Sequence, residues 1–286
     1  LFIIETGHYS FLWTYHHIIL DGWSMPLILR ELNKRYECIV NKEAFHFKSP
    51  KPFEAYIKWL SLQNNEELIN YWNDSLADFS APTPLILNRA RLDIHKPVEN
   101  AGEYLYTLPE SFLSECQQFA RFSRVTLNAL VQLAWASVLS SYSGSEDILY
   151  GTTVSGRPPA LSGVEEMIGL FINTIPLRVR LNYNETVLYN LKHIQDVIQN
   201  GNNLSYISLS KLQSMSSIAP GEALFYSLFV FENFPFTGEM TGMKNIKMYG
   251  KSTYPVNIVV LAEKELSVSI AYDRDCFTED VIERLA

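Results

Sequence analysis

Residues 127–141 read LNALVQLAWASVLSS, a helical stretch that is apolar on most of its sides. Such a helix has no face to offer water, so other layers must cover it. The chain supplies material for those layers. LFYSLFVFEN (224–233), VNIVVLAE (256–263) and ELSVSIAYD (265–273) alternate as strands, and EDILYGTTVSG (146–156) reads as a strand running into a glycine-containing loop. Further helices are marked by Leu29, Leu32, Tyr36, Ile39 and Val40, by Phe53, Tyr56, Ile57 and Leu60, and by Leu68, Tyr71, Trp72 and Leu76. Phe112, Leu113, Cys116, Phe119 and Ala120 mark another after Pro109, TVLYNLKHIQDVIQN (186–200) one more, and the last residues begin a final one. Helices and strands mix without a regular βα repeat or an internal duplication, which predicts a mixed α/β (α+β) protein. Residues 78–102 combine prolines with turn formers and little periodicity, and read as a linker between residues 1–77 and a second lobe over 103–286.

Composition narrows the function. At 286 residues, 47% hydrophobic and 19% charged, the chain can bury real cores. A net charge of −8 with no lysine or arginine run argues against a nucleic-acid groove. No apolar run approaches the ~18 residues of a membrane span, so no membrane partner is expected. Cys38, Cys116 and Cys276 are far apart and form no CxxC pair, which predicts reduced, buried thiols and a cytoplasmic setting. The opening LFIIETGHYSFLW has no basic region or cleavage site of a signal peptide, and it reads as cut from a longer chain.

One short stretch carries the chemistry: TYHHIILDGWS, residues 14–24. The preceding alternation predicts a strand over 8–17, with Phe11, Trp13, Tyr15 and His17 on one face and His16 on the other. Ser24 is a candidate N-cap of the following helix, and Pro26 fits a first helical turn. Acyl transfer needs a base that titrates near neutrality, a group that fixes it, and donors aimed at developing negative charge. His17, Asp21, Gly22 and a helix N-terminus would supply these parts. Histidine pairs at strand ends also serve structure alone. A zinc site would want histidines one turn apart on a helix, or further ligands at set spacing, and no such set accompanies His16 and His17. No metal is expected.

These residues resemble the condensation domains of nonribosomal peptide synthetases, whose HHxxxDG signature stands here as His16, His17, Asp21 and Gly22, followed by Trp23 and Ser24. FEAYIKWL (53–60), YGTTVSGRPPALSGVEEMIGLFINTIPLRV (150–179), LFVFENFP (228–235) and IAYDRDCFTEDVIERLA (270–286) are similar to further family segments, in the family's order. HIQDVIQNGNNLSYISLSKLQ (193–213) departs from a segment usually richer in His and Gln. The family also carries on the order of 100 residues before the histidine motif, so the chain is expected to lack an N-terminal part.

The resemblance implies a two-lobed chloramphenicol-acetyltransferase-like fold with its active site in a tunnel between the lobes. It also implies the reaction. Upstream and downstream carrier domains would present substrates as phosphopantetheine thioesters, an adenylation domain would sit in the same polypeptide, and no cofactor would be bound directly. His17 would act on the acceptor amine as base or positioning partner. Asp21 would hold the loop by pairing with Arg157, His16 would be structural, and Gly22 would offer a backbone N–H. Asn173 would line the tunnel, and Trp13, Trp59, Trp72 and Trp135 would pack cores. The rivals are an epimerisation domain, which would need a second carboxylate such as Glu232, and a non-catalytic recruitment domain of the same fold. A stand-alone CoA-dependent acyltransferase is the third.

Overall fold

The computed structural model describes residues 2–5, 8–46, 49–85, 96–219, 221–232 and 252–286. Its contacts divide them into two compact units, one holding residues up to Leu62 with Arg157–Ile172, the other holding 63–156, 173–232 and 252–286.

The first unit opens with strands β1 (Phe2–Glu5) and β2 (His8–Ser10), paired antiparallel, and continues through helices α1 (Ser24–Asn41) and α2 (Glu54–Ser61). The strand predicted over 8–17 therefore stops at Ser10. Residues 11–16 are irregular and 17–19 form a turn. The turn is locally held: the imidazole Nδ1 of His16 accepts the Ile18 N–H at 3.1 Å, and its carbonyl accepts the Ile19 N–H at 3.1 Å. Groups bonded inside a turn are unavailable to a sheet. The histidines consequently do not alternate across a strand. Helix α1 forms where its periodicity predicts, but only the start of its stripe is covered. Leu29 is buried, whereas Tyr36, Ile39 and Val40 are exposed. A small core forms from Tyr56 of α2 with Val164, Met167 and Phe171 of the later segment.

In the second unit, α3 (Asn65–Leu76) precedes β3 (Ala101–Leu108), α4 (Glu110–Ser123), α5 (Leu127–Ser143) and β4 (Asp147–Val154). Next come β5 (Asn173–Arg180), α6 (Val187–Asn203), α7 (Leu209–Met215), β6 (Ser227–Glu232), β7 (Val256–Ala262), β8 (Leu266–Asp273) and α8 (Glu279–Leu285). The strands form one sheet in the order β3-β8-β7-β6-β4-β5, parallel at β4–β6 and β6–β7 and antiparallel elsewhere. Strand β4 is buried on both faces. Ile148 and Tyr150 join α5 and α6 in the larger core, while Leu149 and Val154 join α3 and α7 in the second. Helix α5 is covered as its sequence requires, with Ala129, Trp135, Ala136 and Leu139 buried. Trp72 and Trp135 are core residues, whereas Trp13 and Trp59 are half-buried.

Helix α3, expected with residues 1–77, packs in this second unit through Leu68, Trp72 and Leu76. The stretch read as a linker also contributes. Phe79 and Leu85 are buried, and the Thr83 hydroxyl accepts the Leu149 N–H at 2.7 Å. Residues 86–95 of that linker, and LFVFENFP from Asn233 on, lie outside the described residues. The cysteines are free thiols, but only Cys276 is buried and the other two are half-buried.

Candidate functional site

Asp21 is the fixed point of the motif. Its carboxylate is 2% exposed, and Oδ1 accepts the Ser24 N–H at 2.9 Å and lies 2.7 Å from the Ser24 hydroxyl. Oδ2 accepts the Phe171 N–H at 3.0 Å, and Arg157 Nη2 donates to Oδ1 at 3.2 Å. A buried carboxylate needs this many donors, because water is not there to supply them. The expected pair of Asp21 with Arg157 is thus present, inside the first unit and with both side chains almost fully buried.

The other terminal nitrogen of the guanidinium is engaged as well. Nη1 donates to the carbonyls of Val164 and Met167, and the Cζ atom sits 4.0 Å from the Phe171 ring centroid and 5.8 Å from that of Trp23. Burial pulls the Arg157 pKa below its ordinary value, and the Asp21 carboxylate opposes that shift. Beneath Phe171 lie Phe53 at 5.0 Å and Tyr56 at 4.7 Å, and Trp59 stacks on Tyr56. The same burial raises the Tyr56 pKa, with Arg157 opposing. Trp23 Nε1 donates to the Glu165 carbonyl at 3.1 Å, so the motif's WS pair also grips the 157–172 segment.

Ser24 is not the N-cap. Helix α1 begins at Ser24 with Trp23 in the cap position, and the Asp21 carboxylate takes the Ser24 N–H. Ser24 instead uses its hydroxyl to accept the Gly169 N–H at 3.1 Å, and its single proton lies between Asp21 Oδ1 and the Gly169 carbonyl. The start of α1 thus already faces a full negative charge, which satisfies the dipole expected to serve developing charge. Gly22 is absent from the left-handed glycines, which among the described residues are Gly144, Gly156, Gly163 and Gly221. The chain turns into α1 through right-handed backbone, as the angles at Trp23 show.

His16 is exposed and its Nδ1 serves the local turn, while His17, beside it, is exposed too. Asn173 lies in the second unit at the start of β5. Its Nδ2 donates to the carbonyls of Ser205 and Ile207, both at 2.7 Å, and its Oδ1 accepts the Thr174 N–H. Glu232 ends β6, half-buried, with burial raising its carboxyl pKa. No cluster of three or more His, Cys, Asp or Glu side chains able to hold a metal occurs among the described residues. Sequence reading missed Phe171 and Gly169, although both stand in the quoted GLFINT segment. Both reach the motif through backbone groups, the Phe171 N–H to Asp21 and the Gly169 N–H and carbonyl to Ser24, and such bonds leave no signature in side-chain type.

A family model described as the condensation domain matches residues 1–286, the whole chain. The chain belongs to the condensation-domain family. Among similar proteins, a linear gramicidin synthase of Brevibacillus parabrevis is 36% identical over 98% of this chain but only 6% of its own length. Chondramide synthase of Chondromyces crocatus is 35% identical over 95% of this chain and 7% of its own. This condensation-family chain therefore spans a small fraction of those relatives. Solved structures share the fold. The X-domain from teicoplanin biosynthesis aligns with a TM-score of 0.77 at 20% identity, over 94% of this chain and 65% of its own. The starter condensation domain of rhizomide synthetase also scores 0.77, at 17% identity over 95% of this chain and 62% of its own. The condensation-family fold is thus the chloramphenicol-acetyltransferase-like one, mixed α/β around a six-stranded sheet.

Proposed function

We propose that this chain joins two carrier-bound substrates by an amide bond, with His17 at the reacting centre. The observation that carries the reading is the contrast within the motif. Asp21 is locked by its neighbours, while His17 stands exposed a few residues before it. A base that reacts must reach its substrate, and the groups that place it need not.

The acceptor's α-amine attacks the carbonyl carbon of the donor thioester. The C–N bond forms, the C–S bond breaks, and the donor's phosphopantetheine leaves as a thiolate. The amine gives up one proton and the thiolate takes one, so His17 can relay it without net consumption. An α-amino group titrates near 7.7–8.0, so its deprotonation at neutral pH is a small demand (about one pH unit), and placement of the amine counts for more. Asn173 is assigned no step, because its amide holds the 205–207 backbone. Two carrier domains and an adenylation domain of the same polypeptide are the partners, in the cytoplasm.

The test is a rapid-quench assay of amide formation between two loaded carrier proteins, in the intact polypeptide. His17→Ala is expected to slow it by roughly 10²–10⁴ and to leave the melting temperature unchanged, because the side chain is exposed. Near-wild-type yield would remove His17 from the centre. Epimerisation is the second reading, favoured only by the raised pKa of Glu232, and an inverted aminoacyl centre in the product would reveal it.

A further inference from the structure

The buried ion pair raises the question of what fixes the plane of its cation. A guanidinium can swivel about its own stem, and its two terminal nitrogens must reach different targets here. Nη2 serves Asp21 and Ser24, and Nη1 serves the Val164 and Met167 carbonyls. Only one orientation satisfies all of them.

We infer that Phe171 is a positioning residue for the His16–Ser24 turn, because it holds both halves of the ion pair at once. Its ring carries the Arg157 Cζ at 4.0 Å, and its backbone N–H donates to Asp21 Oδ2 at 3.0 Å. The ring is itself immobilised. It is 2% exposed and meets Phe53 edge-on at 80° and Tyr56 at 49°. Phe53 in turn lies so close to Gly169 that a Cβ there would come within 2.2 Å of its ring. The Gly169 N–H bonds the Ser24 hydroxyl, which closes the circuit on the motif. One aromatic face thus sets the cation's plane, the cation and the Phe171 amide set the carboxylate, and the carboxylate sets the turn.

Catalytic relevance rests on the proposed function; the positioning itself does not. Phe171→Leu removes the ring and keeps the N–H, and Phe171→Tyr keeps both. In the intact polypeptide, amide exchange over residues 16–24 is expected to quicken roughly 10-fold in the leucine variant, the scale of a desolvated cation–π contact. The tyrosine variant is expected to stay within about 2-fold of wild type by the same contact. With loaded carriers, the leucine variant is expected to lose a similar factor in kcat at unchanged KM. Arg157→Lys keeps the charge but loses the flat stack, so adding Phe171→Leu to it should quicken exchange no further. Wild-type exchange in the leucine variant, or additive effects in the pair, overturns the inference, and the lysine background decides if the leucine variant alone folds poorly. If wild-type protein forms no amide, the proposed function fails while exchange still judges Phe171.

Discussion

At Asp21 the demands of burial decide what the side chain can do. Four groups donate to it, and one of them is a cation with little other access to solvent. Asp21→Ala removes the counter-ion of the buried Arg157 and the acceptor of the Phe171 N–H, a loss of about 3–5 kcal/mol by the usual penalty for a half-broken buried pair. The variant is expected to melt well below wild type as well as lose activity. A variant that is inactive yet melts normally would show Asp21 acting on substrate. Glu232 shows the opposite sign. Burial raises its pKa, so the folded chain disfavours the charged form, and its contribution is full at low pH and lost as pH rises. Glu232→Gln is therefore expected to melt above wild type at pH 7, with the two curves meeting below the ordinary glutamate value near 4.3. The HHxxxDG motif and the choice of Arg157 were legible through the family resemblance, which is carried by side-chain types. The Phe171 and Gly169 amides were not, since every residue but proline carries one.

Elements formed where periodicity had several residues to act over. Helices α3, α5 and α6 and strands β4, β7 and β8 lie where their sequences place them, each with an apolar pattern matched by burial. The aromatic run after Ser10 alternates as well as any of these. It nevertheless leaves the strand after Ser10, and from His16 on the chain is held in a turn. Strand β3 and helix α7 were not read: β3 hides in a linker-like context, and α7 spans only 7 residues. Close packing gives this scale its own test. Gly169→Ala drives a methyl into Phe53 and is expected to cost about 1–3 kcal/mol, measured by denaturant midpoint. Thr186 caps α6 by accepting the Tyr189 N–H at 3.1 Å, so Thr186→Ala is expected to cost about 0.5–2 kcal/mol. Only the first change should also disturb the motif.

The two units differ in how completely they cover their own apolar surface. The second buries two large clusters, whereas the first leaves Phe2, Ile4, Tyr9, Phe11, Leu12, Tyr36, Ile39 and Val40 exposed. Hydrogen exchange on residues 1–286 is expected to be slowest in α3, α5 and β4, and fast in β1, β2 and the second half of α1. Protection of residues 32–40 equal to that of α5 would contradict this. Placing α3 with the slow group departs from the boundary at residue 77 that the linker suggested, because a proline-containing stretch says where regular structure stops and not which core its neighbours join. The first unit is also assembled from distant stretches of chain, since Asp21 and Arg157 are 136 positions apart. Joining such ends carries a loop-closure cost that grows slowly with length. Time matters more. At ~5–20 residues per second of synthesis, roughly 7–27 s separate the emergence of the carboxylate from that of its cation. Through that interval the nascent chain holds an acidic hook with nothing to catch, and a turn spelled out in a few adjacent residues waits for a partner the ribosome has yet to make.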